Sequence, residues 1–180
     1  MARTIPNRLK GIPFLDAGDG RLTGGRVFWV GSASSGSNDN AGDGPDNPLA
    51  TIDYAIGLCT ASRGDVVRAM EGHAETISTA TGLVADIAGV KIVGMGTGAL
   101  RPTISFSNTA ALLSITAANV EVANLIFVCN VASHVRMIAL AAGADGAYIH
   151  HNTFREGSAQ GLSMVEWTGA ADDVRIEDNG

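Results

Sequence analysis

Two adjacent histidines, His150 and His151, are followed 27 positions later by two carboxylates, Glu177 and Asp178. An imidazole within hydrogen-bond reach of a carboxylate suits general acid-base chemistry, because the partner selects the tautomer and makes the ring more basic. The same interval sets Tyr148 beside Arg175. A second group places His73 between Glu71 and Glu75; if a strand runs through it, alternation puts all three on one side, where two carboxylates and an imidazole can hold a cation. Glycoside hydrolysis needs two carboxyl groups at a defined separation beside a sugar-sized groove. Glu156, Glu166, Asp172 and Asp173 supply carboxyls, but aromatic residues make up only 5% of the chain and leave little for sugars to stack on. Asp39, Asp43 and Asp46 do not follow the D-x-[DN]-x-[DN]-G spacing of a calcium loop, so that segment reads as a solvated turn. Charge pairs between neighbouring strands on a wet surface account for most of these groups. No catalytic residue, metal ligand or cofactor is therefore assigned from the sequence.

The interval of 27 is a property of the whole second half. Residues 120–127, 147–154 and 174–179 superpose at that period, each opening with alternating apolar positions. Repetition of this kind marks a solenoid, in which successive coils stack and bury a shared interior. The register predicts vertical columns: Val122, Ile149 and Ile176 inside; Phe127 over Phe154; and Asn152 over Asn179 as the start of an amide ladder at a turn. Stacked amides satisfy one another and the turn backbone. Residues 65–69 and 89–94 read as earlier strands of the same set. Residues 113–115, 138–140 and 165–167 form a second set within each coil, the last two again 27 apart. An antiparallel sandwich would not demand an equal repeat, and a leucine-rich horseshoe would require an L-x-x-L-x-L spacing that is absent.

Ahead of the strands, the period changes. Ile52, Ala55, Ile56 and Cys59 fall on one helical face behind Thr51, whose hydroxyl is placed to cap the first turn. A helix over about 49–60, laid across an open solenoid end, would cover both apolar interior and unpaired strand edges. Residues 1–25, with Arg3, Arg8, Lys10, Phe14 and Leu15, lack periodicity and read as an extended arm that needs a surface to lie on.

With 12 basic residues against 18 acidic ones and a net charge of −6, the chain lacks the clustered positive surface of a nucleic-acid binder. No window approaches the apolar length of a membrane span, and the start lacks the apolar core of a secretory signal. Cys59 and Cys129 lie in different contexts and read as buried thiols.

Residues 64–76, 88–96, Arg101 with Pro102, and 119–127 resemble right-handed parallel β-helix proteins of the pectate-lyase-like superfamily. More narrowly, they are similar to β-helix proteins encoded among the virion genes of tailed bacteriophages. The resemblance covers about residues 26–180, including the cap signature from Asn47 to Ile52. It implies an all-β fold: a short right-handed parallel β-helix (26–180) with an N-terminal capping helix and an anchoring arm (1–25). It further implies a virion location, synthesis in a bacterial cytoplasm, capsid or tail proteins as partners, and frequent trimers. Lyase chemistry in this fold, as the resemblance implies, uses a basic residue as proton abstractor beside calcium-binding aspartates; Lys91 and Arg101 have no such neighbours at a readable spacing. The expectation is a structural virion protein, a capsid decoration, spike or fibre-base subunit, held through Arg3, Arg8, Lys10, Phe14 and Leu15. The alternatives are a carbohydrate depolymerase or lyase fragment, with Asp145, His150, His151, Glu166 or Glu177 near its cleft, and a glycan-binding module of a tailspike. The repeat stops at Asn179 and Gly180 within a coil that has only begun. Either more chain or a neighbouring subunit is expected to cover Phe154 and Trp167 there.

Overall fold

A computed structural model of the chain describes residues 24–32, 36–157 and 161–180. The described chain is an all-β parallel solenoid of about 4 turns with very little helix. The first strand, β1 (Val27–Val30), is followed by the helix α1 (Ile52–Gly57). Four coils of three strands come next: β2 (Val66–Ala69), β3 (Ala74–Ile77) and β4 (Val84–Ala85); β5 (Lys91–Gly94), β6 (Thr103–Phe106) and β7 (Leu113–Ile115); β8 (Glu121–Ala123), β9 (Ile126–Cys129) and β10 (Ile138–Leu140); β11 (Tyr148–His150), β12 (Thr153–Glu156) and β13 (Val165–Trp167). A last strand, β14 (Arg175–Glu177), opens the next coil. The strands stack into three parallel sheets, β1-β2-β5-β8-β11-β14, β3-β6-β9-β12 and β4-β7-β10-β13, so the rod is a three-sided prism. Sequence periodicity expects two sets of strands per coil; the structure has three, because residues 120–127 and their repeats break at a two-residue corner.

That corner is built by residues in the left-handed region. Asn124, His151 and Asp178 follow β8, β11 and β14 with φ of 57°, 55° and 52°. A second column of the same conformation, Gly64, Gly89, Asn119, Gly146 and Asp173, stands two residues before β2, β5, β8, β11 and β14, with φ between 54° and 79°. Glycine, asparagine and aspartate tolerate this conformation better than β-branched residues do, which is why these types recur where the chain turns into the sheet. The turns are also tied to one another: Gly89, Asn119 and Gly146 each donate an amide to a carbonyl of the coil below, those of Ala118, Asp145 and Asp172.

The interior follows from the register. Phe28, Val67, Ile92, Val122, Ile149 and Ile176 form one inward column. Glu75, Ile104, Phe127 and Phe154 form another, and Ala85, Ile115, Leu140 and Trp167 a third. Phe127 lies stacked between Phe106 (6.2 Å) and Phe154 (5.4 Å). Each fully buried aliphatic or aromatic side chain in these columns contributes about 1.5–3 kcal/mol. The amide ladder occupies the corner. Asn152, buried, donates Nδ2 to the Val122 carbonyl (2.9 Å) and to Asn179 Oδ1 (3.2 Å), and its Oδ1 accepts from the Leu125 amide (3.0 Å). Asn179 repeats the pattern one coil down, with Nδ2 on the Ile149 carbonyl (3.0 Å).

The helix is shorter than its amphipathic pattern suggests, six residues rather than about 49–60. Leu49 is withdrawn from it by a parallel bridge to Val30. Thr51 is the N-cap, its hydroxyl accepting from the Tyr54 amide, and the turn closes at Leu58. Ile52, Ala55 and Ile56 are buried where α1 packs against β1, β2 and β4. Among the described residues, no helix is long and apolar enough to cross a membrane.

Candidate functional site

The outer face of the first sheet gathers the ionisable groups. Alternation turns two columns outward: Val27, Val66, Lys91, Glu121, Tyr148 and Arg175, and beside it Trp29, Arg68, Val93, Ala123, His150 and Glu177. Between them lies an open groove of about 330 Å³, floored by Val93 and Ala123 and rimmed by Arg68, Lys91, Glu121 and the two histidines. Glu121 is the hub. One carboxylate oxygen lies 3.1 Å from Lys91 Nζ, and the other 3.2 Å from His150 Nε2. His150 stacks on the Tyr148 ring (centroids 3.9 Å apart), and its Nδ1 lies 2.7 Å from His151 Nδ1. Arg101, reaching down from the turn before β6, donates to the His151 carbonyl (2.9 Å) and to Thr153 Oγ1 (2.5 Å), which fastens the corner that carries His151. Such a cluster can exchange protons between imidazole and carboxylate and can present imidazole nitrogens to a ligand in the groove.

The structure pairs these residues differently from the sequence expectation. His150 and Glu177 are register partners, yet the imidazole bonds Glu121 of the coil above. Glu177 instead accepts from Tyr148 Oη at 2.5 Å. That bond, with Arg175 and the two histidines nearby, holds the Glu177 carboxyl below its ordinary value although desolvation opposes the shift. The same bond, assisted by desolvation and the glutamate charge, raises the Tyr148 phenol. His151 and Asp178 occupy equivalent corner positions, but His151 contacts His150. Lys91 and Arg101, which show no calcium-binding aspartates beside them at a readable spacing, lie at Glu121 and at the His151 corner.

The group around His73 is also rearranged. Strand β3 begins at Ala74, so Glu71 stays on an exposed turn, away from the pair expected to share its face. His73 is buried, with Nε2 3.2 Å from Glu75 Oε2. That oxygen also accepts from the Ile52 amide (3.0 Å), which ties the inward carboxylate to the first turn of α1. Asp53, in the same turn, accepts from the Val84 amide (2.9 Å); burial, then the charges of Glu75 and Asp86, raise its carboxyl although that bond opposes the shift.

The remaining carboxylates are separate. Glu166 pairs with Arg136 (2.7 Å), Asp145 accepts from the Asp172 amide (2.9 Å), and Glu156 and Asp173 are exposed. Asp43 accepts from the Asn47 side chain (2.8 Å). Among the described residues, no group of three or more His, Cys, Asp and Glu side chains is arranged to hold a metal ion. Arg3, Arg8, Lys10, Phe14 and Leu15 lie outside the described residues.

Two sites escape sequence reasoning. Glu121 could have been found from the 30-residue interval that stacks it under Lys91. Asp65, almost fully buried, carries no such signal: it gathers the Arg63 guanidinium (2.7 and 2.6 Å) and the Thr60 amide (2.7 Å) from its own turn and the Arg26 amide (2.7 Å) from the segment before β1. Comparison with protein-family models, with curated proteins and with solved structures gives no match.

Proposed function

We propose that the chain is a structural subunit: a short right-handed β-helix, capped by α1, that is built into a larger particle. The observation that carries this reading is apolar exposure on the turns before β10 and β13. There Val135 and Leu162, each one residue past the parallel bridge between His134 and Gly161, are exposed, and so is Met164 two residues on. Large apolar side chains left exposed on neighbouring coils are a surface for another subunit to cover.

The resemblance to phage β-helix proteins supplies the particle, a tailed-phage virion, with capsid or tail proteins as partners. In this reading the arm (1–25) attaches through Arg3, Arg8, Lys10, Phe14 and Leu15. A homotrimer suits the second sheet, whose outward positions Thr76, Ser105 and Val128 are short, with the long Arg155 only at the last coil. Deleting residues 1–24 tests the anchor: particles should lose the subunit while its circular dichroism stays that of the β-solenoid. Equal incorporation of the shortened chain overturns it.

The groove on the first sheet favours a second reading, a glycan-binding module or a depolymerase fragment, because Glu121, His150 and His151 face one cleft. Release of reducing ends or unsaturated uronates from host polysaccharide by the purified protein would establish that reading in place of the structural one.

A further inference from the structure

Consecutive strand residues point to opposite faces. His150 and His151 do not. The corner sets His151 at φ 55°, and this brings its ring back beside that of His150, nearly perpendicular to it (83°), with the two Nδ1 atoms 2.7 Å apart. Both rings border the open groove. The outer nitrogen of His150 is committed: Nε2 faces Glu121 Oε1 at 3.2 Å, and a carboxylate can only accept, so Nε2 carries the proton. Glu121 is itself held by Lys91 through its other oxygen, which keeps it behind the ring. The Nδ1 side therefore faces His151, whose Nδ1 lies 2.7 Å away.

We propose that His150 and His151 form a two-imidazole chelate for a tetragonal divalent cation of the Cu²⁺ or Ni²⁺ class. Glu121 is the positioning residue, because a carboxylate on the far nitrogen of a ligating imidazole orients the ring and raises its basicity. The separation selects the metal. Two nitrogens at about 2.0 Å from a cation lie about 2.8 Å apart when cis in a square plane and about 3.3 Å apart at tetrahedral corners. The observed spacing of 2.7 Å fits the first case once each ring tilts to aim its Nδ1 at a point beside the line between them, whereas Zn²⁺ would also have to spread the pair. The chain supplies two ligands; water, or a donor group of a molecule in the groove, completes the plane. Arg101 at the His151 carbonyl and the Tyr148 ring against His150 hold the bite before the cation arrives.

The coil above provides a control that preserves the fold. Ala123 and Asn124 occupy the positions of His150 and His151, with Asn124 at φ 57°. The double variant His150→Ala with His151→Asn thus restores a pair of residues that the corner already accepts. Titration of the full chain with CuCl₂ or NiCl₂, followed by calorimetry, should show one equivalent bound, with Zn²⁺ weaker than either. Electron paramagnetic resonance of the Cu²⁺ form should show coupling to two nitrogens. The double variant should lose that equivalent while keeping its circular dichroism, and Glu121→Gln should weaken binding about tenfold. No bound equivalent in the parent chain, undiminished binding by the double variant, or tighter Zn²⁺ than Ni²⁺ binding would each overturn the proposal.

Discussion

Replacing Asn152 with alanine should be among the more costly single changes outside the hydrophobic columns. Its side chain makes three hydrogen bonds inside the corner, and two partners, the Leu125 amide and the Val122 carbonyl, belong to the backbone of the coil above. Alanine leaves them without that partner at a place closed to water, and each such loss costs about 1–3 kcal/mol, so the total is about 2–6 kcal/mol. Asn179 carries the same ladder at the open end, where water can replace it, and its alanine variant should cost about 1 kcal/mol. Leucine at 152 is a sharper probe. Leu125 stands one coil above it in the same column, so volume and apolar character suit the column and only the polar partners are lost. The variant should still lose about 2 kcal/mol or more. Urea unfolding followed by circular dichroism, with the slope held in common, gives the three values. Amide exchange supplies an independent reading, since the Leu125 amide should lose protection in both Asn152 variants. A leucine variant as stable as the parent, or alanine at 152 costing no more than at 179, would refute the ladder as the tie between coils.

Asp65 and Asp53 should give opposite pH dependences. Burial would raise the Asp65 carboxyl, but the Arg63 guanidinium and the Thr60 and Arg26 amides outweigh it and leave the group below its ordinary value. Its stabilisation is present above about pH 4 and lost as pH falls through the lowered value, so the parent's advantage over Asp65→Asn should shrink on acidification in thermal unfolding. The raised Asp53 behaves in reverse: its ionised form is disfavoured in the folded chain, and Asp53→Asn should gain on the parent as pH rises above about 4. Burial, with the Asp65 charge nearby, pushes the Cys59 thiol up to about 12, and Sγ donates to the Ala55 carbonyl (3.3 Å). Cys59 should therefore resist iodoacetamide at pH ~8 in the native protein and react on unfolding, as peptide mapping reads directly; prompt native labelling would contradict the packing of α1. Gly94→Ala should lower stability by about 1–3 kcal/mol, because a β-carbon there would lie 2.2 Å from the Asn124 carbonyl oxygen and 2.9 Å from Pro102 Cδ, with backbone on the near side; an unchanged melting temperature would refute it.

The columns were legible in the sequence because a stacked solenoid turns an interval along the chain into adjacency in space. Once coils are 27 residues long, Val122, Ile149 and Ile176 have nowhere to be but over one another, and Asn152 meets Asn179 for the same reason. Thr51 likewise announced the start of α1, since capping is settled within one turn of chain. The third sheet was hidden. Its corner depends on left-handed dihedrals at Asn124, His151 and Asp178, which apolar alternation does not register.

Which partner each outward group takes was hidden as well. A side chain on a parallel stack has neighbours both above and below, and periodicity cannot choose between them. His150 turns up to Glu121 where Tyr148 holds Glu177, and Glu71 is lost from the His73 group because the strand starts three residues after it. Asp65 required the distant Arg26 amide to meet the carboxylate that the turn from Thr60 to Arg63 already holds. Spacing along the chain thus determined the stacking, because the repeat is covalent. Competition among neighbours for donors and acceptors decided the polar contacts, and that competition exists only once the coils are assembled.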